Sequence, residues 1–214
     1  MKYEAVILDM DGTIVDTERV IIELLEDAAI EAGGKFSREA LLSMIGAGTQ
    51  ETLELMRVAC PGVEPRQLLT KMSQLLEIKR ATGGIGVKKG LFSLLEAAKA
   101  VNAKVAVCTS TRRKSAEATL RSAGLDELAK VMVCGGEASQ GKPYPEPYLL
   151  AAKLLEVLPE ACLAVEDSPR GAQSARDAGM KVVCVPDLLP APDWISAEDV
   201  FESLEEVASL LKMA

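Results

Sequence analysis

Five short apolar runs punctuate the chain, Ala5 to Leu8, Val105 to Cys108, Val131 to Cys134, Cys162 to Val165 and Val182 to Val185, and each closes on small or polar residues. Continuous apolar runs of this length read as strands buried on both faces, the condition of parallel strands covered by helices. Between them, segments such as Leu91 to Val101 and Ser115 to Ala123 repeat apolar residues at helical spacing, and Gly124 stops the second. Strand, helix, strand repetition predicts an α/β fold with a doubly wound, Rossmann-like parallel sheet. The order breaks once. After the first run roughly 65 residues pass with helical patterns at Arg19 to Ala32, Arg38 to Ile45, Glu51 to Ala59 and Pro65 to Arg80, and without a strand, which is too long for one crossover. The spacing therefore predicts an inserted α-helical cap domain over residues 17–85 and a core made of residues 1–16 and 86–214. Gly83, Gly84 and Gly86 suit a hinge at the return.

Composition narrows the chemistry. The 214 residues carry 24 Lys plus Arg against 32 Asp plus Glu, a net charge of −8. No basic run is long enough to track a phosphate backbone, so no nucleic-acid partner is expected. There is no histidine, which excludes Ser-His-Asp hydrolases and His-ligated zinc enzymes. The five cysteines, Cys60, Cys108, Cys134, Cys162 and Cys184, are odd in number and never spaced C-x-x-C, so they read as reduced and buried. An acidic residue comes too early for a signal peptide, and no stretch approaches eighteen apolar residues. The expectation is a cytoplasmic protein without a membrane partner, monomeric or weakly homo-oligomeric.

In an open parallel sheet, ligands bind at the carboxyl ends of the strands. There the sequence places Asp9-Met10-Asp11-Gly12-Thr13, Thr109-Ser110-Thr111, Gly135-Gly136 leading to Lys142, and Glu166-Asp167-Ser168. Two carboxylates about 4 Å apart repel by roughly 4 kcal/mol at an effective dielectric near 20, so such a rim needs cations to stay ionised. Lys142 and a divalent metal would supply them. An all-oxygen ligand set favours Mg²⁺, which also accepts oxygens from a substrate phosphate.

These residues in this order resemble the haloacid dehalogenase superfamily, whose phosphotransferase members carry D-x-D-G-T on the first strand. Asp9 and Asp11 match that motif, Thr109 the second, Lys142 the third and Glu166-Asp167 the fourth. The insertion, the Asp16-Thr17-Glu18 exit and the segment Glu166 to Gly171 are similar to the β-phosphoglucomutase-like subgroup with a helical cap. The resemblance implies a Mg²⁺-dependent phosphatase acting on a small phosphorylated metabolite, such as a sugar phosphate, through an aspartyl-phosphate. It implies Asp9 as nucleophile and Asp11 as acid and base. Mg²⁺ would be held by the Asp9 carboxylate, the Asp11 carbonyl and Asp167, with Glu166 assisting directly or through water. Lys142, Thr109 and Ser110 would hold the phosphoryl oxygens. Thr17, Gly46 and Arg112 are further candidates for contact with the substrate.

The superfamily's dehalogenases and phosphonatases lack the second aspartate, so Asp11 points to a phosphoester. Sugar phosphomutases of the subgroup use a cap histidine and a cap-loop arginine that are missing here, where the sequence reads Glu18-Arg19-Val20-Ile21 and Gly46-Ala47-Gly48-Thr49. Hydrolysis is therefore expected, with a β-phosphoglucomutase-type mutase as the alternative. A signalling receiver, which also phosphorylates an aspartate, is a remoter alternative because receivers carry no cap. Three near misses are set aside. Gly136 to Lys142 spells a P-loop but runs into Pro143, Cys60 to Arg66 spells C-x5-R around Pro61 and Pro65, and Gly84-Ile85-Gly86 has Lys89 in place of a third glycine.

Overall fold

The structure is a computed structural model that describes residues 3–45, 47–196 and 199–213. Five parallel strands, β1 (Ala5–Leu8), β2 (Lys104–Cys108), β3 (Met132–Val133), β4 (Cys162–Glu166) and β5 (Lys181–Cys184), form one sheet in the order β3-β2-β1-β4-β5. The alternation of side chains in β1 feeds two separate cores. Val6 and Leu8 join one face with Val107, Leu163 and Val165, while Ala5 and Ile7 join the other with Ala106, Cys108 and Ala164. Helices α5 (Leu91–Ala100), α6 (Arg113–Ser122) and α9 (Leu204–Met213) cover the first face; α7 (Glu146–Leu155) and α8 (Pro169–Asp177) cover the second. The sheet is doubly wound, as the apolar runs predict.

From β1 the chain moves out through β2 to β3 and then crosses back to β4 on the opposite side, so the switch of direction lies at β1. Register then sets the rim. Leu8 is level with Val107 and with Val165, which brings Asp9 out beside Cys108 and Glu166.

The edge strand β3 is shorter than the four residues the sequence predicts. It pairs on one side only, and beyond it the chain turns so tightly against the loop after β2 that a Cβ on Gly135 would lie 2.0 Å from the Ser110 carbonyl oxygen. All five cysteines are free and buried.

Between β1 and α5 come four helices, α1 (Thr17–Glu31), α2 (Arg38–Ser43), α3 (Thr49–Ala59) and α4 (Pro65–Ala81). They share an apolar cluster of their own, built on Leu25, Phe36, Leu41, Met56 and Leu68. Local chemistry sets their ends. Ser37 caps α2 by accepting from the Ala40 amide, and Pro65 opens α4 where a missing N–H costs nothing. Cys60 to Glu64 is the loop between α3 and α4, which accounts for the C-x5-R near miss. At the neck the Asp16 amide donates to the Gly86 carbonyl, at 2.9 Å, so the outgoing and returning strands of chain are joined.

A second tie is made by Arg80 at the end of α4, only 8% exposed. Its guanidinium donates to the Thr119 hydroxyl of α6 at 2.7 and 3.0 Å, to Ser115 at 2.7 Å and to Glu77. Thr119→Val keeps the shape of the side chain but takes two hydrogen bonds from a buried guanidinium, leaving it Ser115 and Glu77. It is expected to lower the unfolding free energy by about 1 to 3 kcal/mol, read from urea titrations.

Candidate active site

Every acidic residue of the predicted rim except Asp11 gathers around one ammonium. Lys142, in the loop before α7, donates to Asp9 Oδ1 at 2.6 Å, to Glu166 Oε1, and to the Cys108 carbonyl at 2.9 Å. The Tyr148 hydroxyl of α7 donates to Glu166 Oε1 at 2.6 Å, and Ser168, the N-cap of α8, donates to Oε2 at 3.1 Å. Thr13 donates to Asp167 Oδ1 at 2.9 Å. Two glycines make room. A Cβ on Gly171 would lie 1.9 Å from Glu166 Oε1, and one on Gly12, whose φ is +86°, would lie 2.4 Å from Asp167 Oδ2.

Oxygen atoms of Asp9, Glu166 and Asp167 lie within 4.8 Å of one another, and all three residues are buried. Pairs at this spacing repel by roughly 3 to 4 kcal/mol at an effective dielectric near 20. Burial, reinforced by the neighbouring carboxylates, holds the Asp9 and Asp167 carboxyls well above the usual carboxylate range. For Lys142 burial opposes the charge, but Asp9 and Glu166 outweigh it and keep the amine protonated far up the pH scale. With all three ionised, the carboxylates would exceed the one ammonium by two negative charges. An oxygen-only donor set with that deficit fits a divalent cation.

Asp11 has a different setting. Thr17 donates to its Oδ1 at 2.6 Å, and Thr111 and Thr109 donate to Oδ2 at 2.7 and 3.1 Å. Two residues apart in sequence, Asp9 faces the ammonium and Asp11 faces hydroxyls. A cavity of about 460 Å³ reaches both carboxylates and is also lined by Ser110, Arg112, Lys142 and Asp167.

A sequence model of the haloacid dehalogenase-like hydrolases matches residues 6–185, from β1 to just past β5. The chain belongs to this family. Protein CbbY of Rhodobacter capsulatus is 31% identical to it over 211 residues, covering 93% of this chain and 92% of that protein. The phosphorylated carbohydrates phosphatase of Thermotoga maritima is 33% identical over 181 residues, 83% of this chain and 82% of that protein. A solved Thermotoga maritima structure provisionally named β-phosphoglucomutase aligns with a TM-score of 0.78 at 30% identity, covering 99% of each chain. As a haloacid dehalogenase-like hydrolase, the protein sits with the β-phosphoglucomutase-like subgroup its motifs resemble.

Of the residues singled out in the sequence, the fold brings together Asp9, Asp11, Thr17, Thr109, Ser110, Arg112, Lys142, Glu166 and Asp167. Gly46 lies outside the described residues. Thr109 turns its hydroxyl to Asp11 and accepts from the Thr111 amide at 3.0 Å, so in this structure it orients a carboxylate. The sequence motifs include Thr13, Thr111 and Glu18 without assigning them a role, and Tyr148 stands outside every motif. For Thr111 the signal was present, two residues beyond Thr109 at a strand end; Tyr148 is a polar tip on an apolar helix whose rotation the sequence does not display.

Glu18 adds a fifth carboxyl beside Gly12 and Asp9. Burial, with Asp9 and Asp11 adding to it, pushes its pKa from 4.5 to about 8. The folded state therefore holds this proton more tightly than the unfolded chain, and folding stability falls as pH rises between those values. In EDTA, Glu18→Gln is expected to gain stability on the parent from pH 5 to pH 8, by at most about 1.4 kcal/mol per unit. Parallel urea titrations measure the difference.

Proposed function

We propose that this protein is a Mg²⁺-dependent phosphomonoester hydrolase that frees phosphate from a small phosphorylated metabolite by way of an aspartyl-phosphate on Asp9. The observation that carries the reading is the division of labour between two neighbouring carboxylates, Asp9 against Lys142 and a cation-deficient cluster, Asp11 among three threonine hydroxyls. A nucleophile wants the first setting and a proton carrier the second. The names of its relatives, a phosphorylated carbohydrates phosphatase among them, support the same class.

Mg²⁺ would be held by Asp9 and Asp167. Glu166 spends both oxygens on Lys142, Tyr148 and Ser168 and so acts by positioning. Bound there, the ion neutralises charge on the phosphoryl group and lets an anionic carboxylate approach it. Lys142 offsets charge on the attacking side through its bond to Asp9. Asp9 attacks phosphorus while protonated Asp11 gives its proton to the leaving oxygen, releasing an alcohol. Asp11, now ionised, takes a proton from water, which attacks the aspartyl-phosphate; phosphate departs and both carboxyls return to their starting states. Thr17, Thr109 and Thr111 keep the Asp11 carboxyl in one orientation through both half-reactions. Residues 17–85 serve as a cap over this rim, and Ser110 and Arg112 stand at its mouth.

Asp9→Asn removes the nucleophile and one charge of a repelling set. It is expected to fold at least as stably as the parent and to lose Mg²⁺-dependent phosphate release by about 10³-fold or more. Retained turnover in a malachite green phosphate assay, with and without EDTA, would reject Asp9 as the attacking group. Conversion of β-glucose 1-phosphate to glucose 6-phosphate in a coupled assay would establish a mutase instead.

A further inference from the structure

The cavity that reaches Asp9 has two chemically distinct ends. Its floor is the polar rim of the sheet. Its far wall comes from the inserted helices and presents Ile21 and Ile22 of α1, Met44 and Ile45 at the end of α2, and Leu69 and Met72 of α4. All six are only half-buried, so although Ile22, Met44, Leu69 and Met72 also pack against the helical cluster, each keeps apolar surface turned to the open space.

Two of the polar groups on that wall are already engaged. Arg80 gives its guanidinium to Glu77, Ser115 and Thr119. The Thr52 hydroxyl donates to the Gly48 carbonyl at 3.0 Å. Among the described residues, the Ser73 hydroxyl and the Glu18 carboxyl, whose buried Oε2 has no partner, are the polar groups of these helices left to face the cavity. A leaving group rich in hydroxyls would surrender water at each one it buried against the apolar part of this wall and find few partners there, since Ser110 and Arg112 stand on the opposite, polar side. An apolar leaving group would lose nothing and would cover aliphatic and thioether surface.

Resting on the phosphatase reading above, we infer that this site selects phosphomonoesters whose leaving group is an apolar body, an alkyl or aryl alcohol, over polyol phosphates. The phosphoryl end is held by charge and the far end by burial. Specificity is thus set by what the helical wall fails to offer, and an apolar pocket discriminates against a hydroxylated leaving group by up to about 10²-fold.

The test measures kcat/KM with Mg²⁺ and the full chain for acetyl phosphate, the linear alkyl phosphates from ethyl to hexyl, and glucose 6-phosphate. The alkyl esters and glucose 6-phosphate all release a primary alcohol, so chemistry at phosphorus is held constant while contacts with the wall vary. The expected result is a rise of about fourfold per added methylene, with hexyl phosphate exceeding glucose 6-phosphate by roughly tenfold or more. A flat alkyl series, or glucose 6-phosphate as the better substrate, overturns the inference while acetyl phosphate hydrolysis keeps the phosphatase reading standing. Absence of phosphate release from acetyl phosphate and from every ester overturns both.

Discussion

The interaction on which the rest depends is the sharing of one buried ammonium by carboxylates that would otherwise repel. Lys142 binds Asp9 and Glu166 together, and Asp167 lies within the same cluster. Much of the surrounding architecture serves that arrangement. Parallel register brings Asp9 out beside Cys108 and Glu166, the Cys108 carbonyl and Arg170 fix the lysine and its loop, and two glycines vacate the space that the Glu166 and Asp167 carboxylates occupy. Removing Lys142 would leave the carboxylates buried without compensation, which is more costly than never having buried them.

The fold is readable because buried parallel strands leave unbroken apolar runs, and all five runs match their strands to within one residue at each end. The edge strand β3 was over-read because apolar composition continues through Val131 and Cys134 while pairing does not. At the site, Asp9, Asp11, Thr109, Glu166 and Asp167 follow from strand ends, since topology brings those ends to one rim, and Lys142 from the loop that leads from β3 to α7. Tyr148 and Arg80 do not. Each lies on a helix, and what it touches depends on how that helix is rotated and seated, which periodicity leaves open by tens of degrees. Gly171 stands in the sequence as an ordinary second residue after a proline; that a glutamate side chain rests against it is a fact of packing between β4 and α8.

The same contrast separates motif chemistry from substrate choice. The polar rim is assembled from residues at the ends of strands, whose positions are tightly constrained by the ladder. The opposing wall is assembled from side chains on the faces of helices that pack mostly among themselves. One half of the cavity is therefore rigidly specified by topology, and the other is free to differ in size and polarity without disturbing the sheet.

The bond between the Asp16 amide and the Gly86 carbonyl carries a consequence of another kind. Because the two ends of a long excursion are pinned side by side, the sheet experiences that excursion as though it were a tight turn. Its chain length adds little to the entropy of closing the β1 to β2 connection once the neck is formed. A helical module of different size, with ends equally close, would meet the sheet through the same narrow doorway, so the architecture permits wholesale exchange of the part that greets the ligand.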